Sequence, residues 1–418
     1  MAAHALPSAC SKTHAARLRW AWLVVGGRDL ARDAVAWIAV GRLCDRRAGT
    51  RTSVVQGKPC AQGRLLRGTF TALILAAGGG SMAAAAGPAC PGPALRFEAL
   101  APGLWRVPGF IGEADAANRG QVSNLTLASE AAPAGSAGAG RLWALGSGPS
   151  PAFGQTLACQ ARQQLGMAIV AVISPWARPE LVLGAGGVVQ AGAAQGLTVP
   201  HWALDGVADA MAEQCPHCVD RLRERLQAAA DDLGDNPISA PDRRLVGDHG
   251  VLGPWLWWRL PRADGRWVTV WRSQTQPLWL APGLLDSPGP ADGRDADLAL
   301  LWRSTQRLAK LAEADGDAAR FVGEQGAVMD SGAPARHAAY WAALLDTVAA
   351  AIGRGDDEAA PAPALPGVPV AWTRHPWHSF NWQRAWRQVE AQSLALPATP
   401  VDSPVLPDQR ATFQRSLR

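Results

Sequence analysis

The chain lacks long apolar runs in its main part. From Gly87 onward, no stretch reaches the roughly 18 apolar residues that a transmembrane helix needs. Charged residues are also few, at 18% of the chain against 48% for hydrophobic residues. A chain of 418 residues with this balance can bury one or two sizeable cores. We therefore expect a globular body without a membrane span in the mature chain.

The body also lacks the excess of positive charge that is typical of nucleic-acid-binding proteins. The formal net charge of the whole chain is +5. Residues 1–67 hold 12 Lys+Arg against 3 Asp, a surplus of +9 that leaves the remainder at −4. Because basicity is confined to the first part of the chain, nucleic acid is not an expected partner.

Residues 1–86 are predicted to be a leader that includes a secretory signal. Arg64 and Arg67 precede the short apolar core "GTFTALILAAGGGSMAAAAG", and three alanines ending at Ala86 form a small-residue cleavage site. The signal, residues 64–86, starts late in the chain. A start codon placed too far upstream explains this, and a genuine basic extension is the alternative. Both interpretations predict a periplasmic or secreted protein.

Patterns of β and βα type alternate through residues 87–358. The segments "GRLWALGSG", "AFGQTLACQARQQLG" and "MAIVAVISP" predict strand, helix and strand, which together form a βαβ unit whose sheet is covered by helices. "GPWLWWRLPRADGRWVTVWR" predicts a tryptophan-rich hairpin that turns at Ala263-Asp264-Gly265. A Pro/Ala linker and a tryptophan-rich tail helix are predicted over residues 359–418. The fold class is therefore α/β, of the sandwich type.

The order of these segments resembles the metallo-β-lactamase superfamily, and most of all its quinoprotein relay system zinc metallohydrolases. "LAPGLWRVPG…NRGQVSNLTLAS" resembles that family's opening strands, and "LWALGSGPSPAFGQTL" resembles its Asp-Thr-Gly strand end. "PWARPELVLG" resembles Thr-His-x-His-Pro-Asp-His-Val-Leu-Gly, and "FVGEQGAVMD" resembles the late Pro-Gly-His-Gly-Pro-Val segment. The resemblance covers roughly residues 95–395. It implies an αββα sandwich of two mixed sheets covered by helices.

The chain lacks the zinc ligands that this resemblance implies. The family binds zinc through histidines and carboxylates at these motifs. The strand end that reads Asp in the family is Gly146 here, and "LPRADGR" contains no histidine where a later ligand is expected. The remaining positions are Trp176, Arg178, Glu180, Leu181, Gly283 and Gln325.

Only Glu180 among these positions can ligate a metal, and one carboxylate cannot replace three or four converging donors. Arg178 places a permanent cation where a dication would bind. We therefore predict no metal or other cofactor, and a former pocket filled by Trp176 and an Arg178–Glu180 ion pair. The alternative is a zinc site with displaced ligands among the histidines of the body, of which His375 and His378 are expected at the surface: His201, His217, His249, His337, His375 and His378.

A Cys-Pro-His-Cys motif, from Cys215 to Cys218, is the second candidate site. Its four residues are identical to the redox motif of periplasmic thiol oxidases, where the first thiolate is stabilised at a helix start. The preceding "ADAMAEQ" is helical in pattern, whereas thioredoxin-like folds place the motif after a strand. A structural disulfide between Cys215 and Cys218 is the main prediction, and redox activity and metal binding are alternatives.

Three classes of function follow. The first is a non-catalytic, exported binding or accessory protein, a pseudoenzyme that the resemblance links to quinoprotein alcohol oxidation. The second is a zinc hydrolase with non-standard ligands, and the third is a thiol-redox protein. The 19 tryptophans of the chain offer flat apolar surface, so a small apolar ligand or a periplasmic protein is a candidate partner.

Overall fold

The computed structural model describes residues 89–130, 140–287 and 289–395. The predicted leader, residues 1–86, lies outside the described residues. The signal peptide and its cleavage near Ala86 therefore stay predictions.

The first sheet is mixed, with strands in the order of the sequence. Its first four strands pair antiparallel, and the fourth to seventh pair parallel. The parallel half contains the predicted βαβ unit, which is confirmed. The strands are β1 (Glu98–Ala101), β2 (Leu104–Val107), β3 (Leu125–Ser129), β4 (Arg141–Leu145), β5 (Ala168–Ser174), β6 (His201–Leu204) and β7 (Arg243–Leu245).

The second sheet is also mixed and has the order β12-β11-β10-β9-β8. Only β11 and β12 pair parallel. The predicted tryptophan hairpin is confirmed, since β9 and β10 pair antiparallel. Gly265 takes a φ of 63° at the turn that joins them. The strands are β8 (His249–Leu252), β9 (Trp255–Ala263), β10 (Arg266–Ser273), β11 (Leu278–Leu280) and β12 (Arg320–Val322).

Helices cover both sheets. The first and third pack on β5, the fifth packs on β9, and the fourth contacts β6 of one sheet and β10 of the other. The helices are α1 (Pro151–Leu165), α2 (Pro179–Val182), α3 (Ala185–Ala193), α4 (Asp205–Leu226), α5 (Leu298–Ala312), α6 (Ala333–Arg354), α7 (Val370–Thr373) and α8 (Pro376–Ala395). Two mixed sheets with helices outside them confirm the predicted αββα sandwich.

Local chemistry sets the ends of these elements. Ser150 caps α1 by accepting the Phe153 N–H, and Pro151 occupies the first turn, where no amide donor is needed. Gly166 ends α1 with a φ of 71°. The segment "PLWLAPGLL" has a strand-like pattern throughout but is a strand only at Leu278–Leu280. It stops there because Gly283 turns the chain with a φ of 76°, a conformation that few other residues adopt.

The tail helix α8 packs against α6 and α5. Three tryptophans of this helix, Trp377, Trp382 and Trp386, are buried. Asn381 of α8 accepts the Gly293 N–H (2.8 Å) and donates to the Ala291 carbonyl (2.9 Å), so the helix supports the loop between β11 and α5. None of the helices in the described ranges has the length and apolar character needed to cross a bilayer.

Candidate functional site

The candidate site begins where β5 ends at the edge of the first sheet. The loop from Pro175 to Arg178 follows β5 and enters the short helix α2. Thr269 of β10 ties this loop to the second sheet, because its N–H (2.9 Å) and its hydroxyl (2.7 Å) both donate to the Pro175 carbonyl. The segment "PWARPELVLG" is therefore held between the two sheets.

Trp176 fills the space beside Gly283. A Cβ atom at Gly283 would lie 3.1 Å from Cε2 of the Trp176 indole and 3.2 Å from a methyl group of Val268. The Arg262 guanidinium lies over the same ring, 4.5 Å from the centroid, in a cation–π contact. Trp176 is 5% exposed. The indole thus occupies the position into which a side chain at residue 283 would project.

Leu181 fills a second space in the same way. A Cβ atom at Gly146 would lie 2.7 Å from Cδ1 of Leu181 and 2.8 Å from Cδ2 of Leu125. Gly146 has a φ of 80°, and Leu181 is fully buried. At two places, therefore, a glycine leaves room for a bulky side chain, that of Trp176 in the loop after β5 or that of Leu181 in α2.

Arg178 is the centre of a buried ion-pair network. Its Nε atom lies 2.7 Å from Oε1 of Glu324 and 3.4 Å from Oε2 of Glu180, and its Nη1 atom lies 3.4 Å from Oδ2 of Asp292. Its Nε–H is not aligned for a hydrogen bond, so charge holds this contact. Burial opposes the charge of Arg178, yet these three carboxylates together with Asp295 outweigh burial and keep its pKa well above the ordinary value.

A second buried arginine extends the network. Arg262 donates to the Gly283 carbonyl and, through Nη2, to Oδ1 of Asp295 (2.7 Å). Arg294 pairs with Asp292 (2.7 Å) and with Glu113 (2.8 Å). Burial acts against the charge of Asp292, but the hydrogen bonds of Arg294 and the charge of Arg178 hold its pKa below the ordinary value. The floor of the site is therefore a set of alternating guanidinium and carboxylate groups.

Asp286 and Glu324 are buried carboxyls whose pKa is raised. Burial and the neighbouring Glu324 raise the pKa of Asp286 well above its ordinary value, and burial also raises the pKa of Glu324. Oδ1 of Asp286 accepts the Gln325 N–H (2.7 Å), and the Asp286 N–H donates to Nε2 of His337 (3.0 Å). Asp286 therefore joins β11, β12 and α6 below the site.

Gln325 closes a loop and has no free donor atom for a metal. Its Nε2 donates to the Gly112 carbonyl (3.0 Å), and its Oε1 accepts the Gly112 N–H (2.9 Å). The residue is buried at the end of β12. Gln325 thus anchors the loop that follows β2.

The histidines of the body do not converge. Within the described ranges, no group of three or more His, Cys, Asp or Glu side chains has the arrangement needed to hold a metal ion. His217 and His249 are exposed. His337 is fully buried, its pKa is lowered to about 4 by burial, and both of its ring nitrogens have backbone partners, Ala333 and Asp286.

The remaining histidines are also engaged in the fold. His201 is buried with Nε2 2.8 Å from the Ser174 hydroxyl, and burial lowers its pKa to about 4. His378 was expected at the surface, and this prediction was wrong. It is 1% exposed, because α8 packs it against Tyr340, whose hydroxyl lies 3.1 Å from its Nδ1. His375 is half-buried. These positions do not fit a zinc centre.

The disulfide predicted between Cys215 and Cys218 does not form in the structure. Both are free thiols within α4, where Pro216 follows the first of them. Burial raises the pKa of Cys215 to about 12, which disfavours the thiolate. The disulfide joins Cys90 and Cys159 instead, across a sequence separation of 69. That pairing connects the segment before β1 to α1.

A cavity of about 790 Å³ opens above Trp176 and Arg178. One wall is a face of α4, another comes from Arg266 at the β9–β10 turn, and a third comes from the loop that carries Asp292 and Arg294. This cleft and the ion-pair network beneath it constitute the candidate functional site.

The comparisons with known proteins identify the fold. A crystal structure of a beta-lactamase domain protein from Burkholderia ambifaria aligns with a TM-score of 0.51 at 15% identity, over 71% of this chain and 89% of that one. A metallo-beta-lactamase from Pontibacter korlensis (TM-score 0.44, 15% identity, 60% of this chain and 99% of that one) and one from Hirschia baltica (0.43, 13%, 59% and 97%) also match. No protein-family model and no curated protein sequence matches the chain. The chain has a metallo-β-lactamase-like fold.

Proposed function

We propose that this chain is a pseudoenzyme of the metallo-β-lactamase superfamily, which binds a ligand or a protein partner in its cleft and does not hydrolyse it. The observation that carries the proposal is the contact of the Arg178 guanidinium with Glu180, Glu324 and Asp292. Arg178 matches the second histidine of the family's zinc motif. A guanidinium is never deprotonated in proteins, so it cannot become a metal ligand.

Charge and geometry both oppose zinc at this place. Zinc requires three or four nitrogen, sulfur or oxygen donors at about 2 Å in tetrahedral arrangement. Here the carboxylates that could ligate it are already paired with Arg178 and Arg294, and Trp176 occupies neighbouring space. Without a metal to lower the pKa of a bound water to about 7, the family's hydrolytic nucleophile is not generated.

Two finer parts of the proposal come from the sequence. The signal-like residues 64–86 support export to the periplasm or beyond, and mass spectrometry of the exported product should find cleavage near Ala86. The resemblance to quinoprotein relay system hydrolases supports an accessory role in quinoprotein alcohol oxidation. A small ligand or a periplasmic protein would be the partner.

The two alternative functions have less support. A zinc hydrolase would need other ligands, yet the buried His201, His337 and His378 lie in hydrogen-bonded positions within the fold. A thiol-redox protein would need an accessible, low-pKa thiolate, whereas Cys215 is fully buried with a raised pKa.

The test is hydrolysis with and without a chelator. Purified protein supplied with zinc should hydrolyse neither β-lactams nor carboxylic esters nor thioesters above the rate of a heat-inactivated control. Any residual activity should be unchanged by EDTA and by Glu180→Gln, since Glu180 is occupied by Arg178. Hydrolysis that EDTA abolishes and zinc restores would overturn the proposal in favour of displaced ligands.

A further inference from the structure

The face of α4 that borders the cleft carries polar side chains. The α4 residues that line the cleft recur at intervals of three and four positions, so they form one stripe along the helix. Leu222 is the one aliphatic member of the stripe, and it is buried. The stripe consists of Gln214, His217, Cys218, Arg221, Leu222 and Arg225.

The carboxylates that line the cleft already have cationic partners. Glu113 pairs with Arg225 (2.7 Å) and Arg294 (2.8 Å), and Asp220 has Arg223 at 3.7 Å. The carboxylates of the floor pair with the buried arginines: Glu180 and Asp292 with Arg178, and Asp295 with Arg262.

Two arginines of the cleft lack such a partner. In the part of the chain that the structure describes, Arg221 and Arg266 form no ion pair, and Arg221 donates only to the Cys218 sulfur (3.2 Å). Arg221 projects from α4, and Arg266 begins β10 at the tip of the hairpin. Among the described residues that line the cleft, Arg221 and Arg266 are therefore the arginines whose guanidinium groups are free to receive an anion.

We propose that this cleft binds a small molecule through an oxyanion, a carboxylate or a phosphate group, held by Arg221 and Arg266. A guanidinium presents donors in a planar fork that matches both groups. The cleft volume of about 790 Å³ suits a small organic molecule. Trp176, Ala177 and Pro179 add apolar lining to the cleft. This inference specifies the ligand class of the proposed binding function.

Cys218 provides a reporter inside the cleft. It is half-buried and free, it lines the cavity, and Cys215 of the same helix is fully buried. Its thiolate displaces iodide from either iodoacetate or iodoacetamide, so that a C–S bond forms as the C–I bond breaks. The two reagents differ in charge. The rate of Cys218 modification by iodoacetate, divided by the rate with iodoacetamide, therefore measures how strongly the cleft favours an anion. This ratio does not depend on how much of the thiol is ionised.

The experiment measures this ratio on the full-length chain by peptide mass spectrometry, with the urea-unfolded chain as reference. We expect the folded ratio to exceed the unfolded one by about fivefold, as a unit charge some 4 Å away in water would produce. Arg221→Gln with Arg266→Gln should return it to the unfolded value. Arg307→Gln, which replaces an exposed arginine of α5 that does not line the cleft, should leave it unchanged.

A second arm uses benzoate and inorganic phosphate as competitors of iodoacetamide. Saturable protection of Cys218 by either anion, lost in the double variant, supports the proposal and tells which oxyanion the cleft prefers. A folded ratio equal to the unfolded one, or protection by neither anion, overturns it. So does protection that persists in the double variant. Because neither arm depends on zinc or hydrolysis, failure here is distinguishable from failure of the pseudoenzyme proposal.

Discussion

The indole of Trp176 lies against Gly283, so that a Cβ atom at residue 283 would be only 3.1 Å from the ring. Both residues occupy positions that carry metal ligands in the family this chain resembles. Leu181 and Gly146 stand in the same relation, with 2.7 Å between the leucine Cδ1 and a would-be Cβ atom. Two glycines are thus matched to two large side chains, and a side chain added at Gly283 or Gly146 would be crowded by its partner.

We predict that Gly283→Ala destabilises the fold by about 2–3 kcal/mol, since it adds crowding to the strain of a positive φ. Gly265→Ala is the matched control, because Gly265 also has a positive φ but a Cβ atom there would meet nothing within 4 Å. Urea unfolding should show a larger loss for Gly283→Ala. In a Trp176→Leu background, the stability loss caused by Gly283→Ala should fall close to that caused by Gly265→Ala. Equal losses for the two alanine variants would contradict the packing account.

Arg178 is predicted to stabilise the fold through its carboxylate partners. Arg178→Met should cost about 3–5 kcal/mol, because removal of one member of a buried ion pair leaves its partners uncompensated. Adding Glu324→Gln, which removes the nearest carboxylate, should recover part of the loss. The free energy of unfolding in urea at pH 7 measures both effects. A loss below about 1 kcal/mol for Arg178→Met would show that Arg178 is not the centre of the network.

The deficit of Arg178→Met should also depend on pH. Burial already raises the pKa of Glu324, and loss of the guanidinium raises it further. A carboxyl whose folded pKa exceeds its unfolded pKa of about 4.3 favours folding below that value and loses this contribution as pH rises through the folded pKa. The variant should therefore be closest to the wild type under mildly acidic conditions. A deficit that grows as pH falls from 7 would contradict this.

His337 is predicted to make stability depend on pH in the opposite direction. Burial lowers its pKa from 6.5 to about 4, so the folded state binds fewer protons than the unfolded state between these values. Its contribution is complete above pH 6.5 and is lost as pH falls toward 4, by about 3 kcal/mol in total. The difference in unfolding free energy between wild type and His337→Gln should therefore shift by this amount. A pH-independent difference would show that His337 titrates normally.

The sequence predicted the architecture better than the site. The alternation of strand and helix patterns predicted an α/β sandwich, because periodicity reports which face of an element is buried. The two mixed sheets were predicted by the resemblance to the metallo-β-lactamase superfamily. The Arg178–Glu180 pair was also predictable, since both residues lie in one motif. Its closest partner, Glu324, was missed because it follows β12, and only the fold brings that strand end to α2.

Other parts of the site depended on contacts between distant segments. Asp292 and Arg294 lie in the acidic and basic run "ADGRDAD", which a sequence pattern alone assigns to an exposed loop. The Cys90–Cys159 pairing spans 69 residues, whereas sequence proximity favoured Cys215 and Cys218. The spacing of His217, Arg221 and Arg225 on α4 was a usable signal, because residues four apart share a helix face.

Zinc stoichiometry tests the central claim most directly. The purified chain should be equilibrated with zinc, dialysed and analysed for metal, and the same should be done for the product that begins at Gly87, since the leader holds three further cysteines. We predict far less than one equivalent of zinc in the shorter product, because the carboxylates of the site are paired with Arg178 and Arg294. One full equivalent, retained against dialysis in the product beginning at Gly87, would contradict the account.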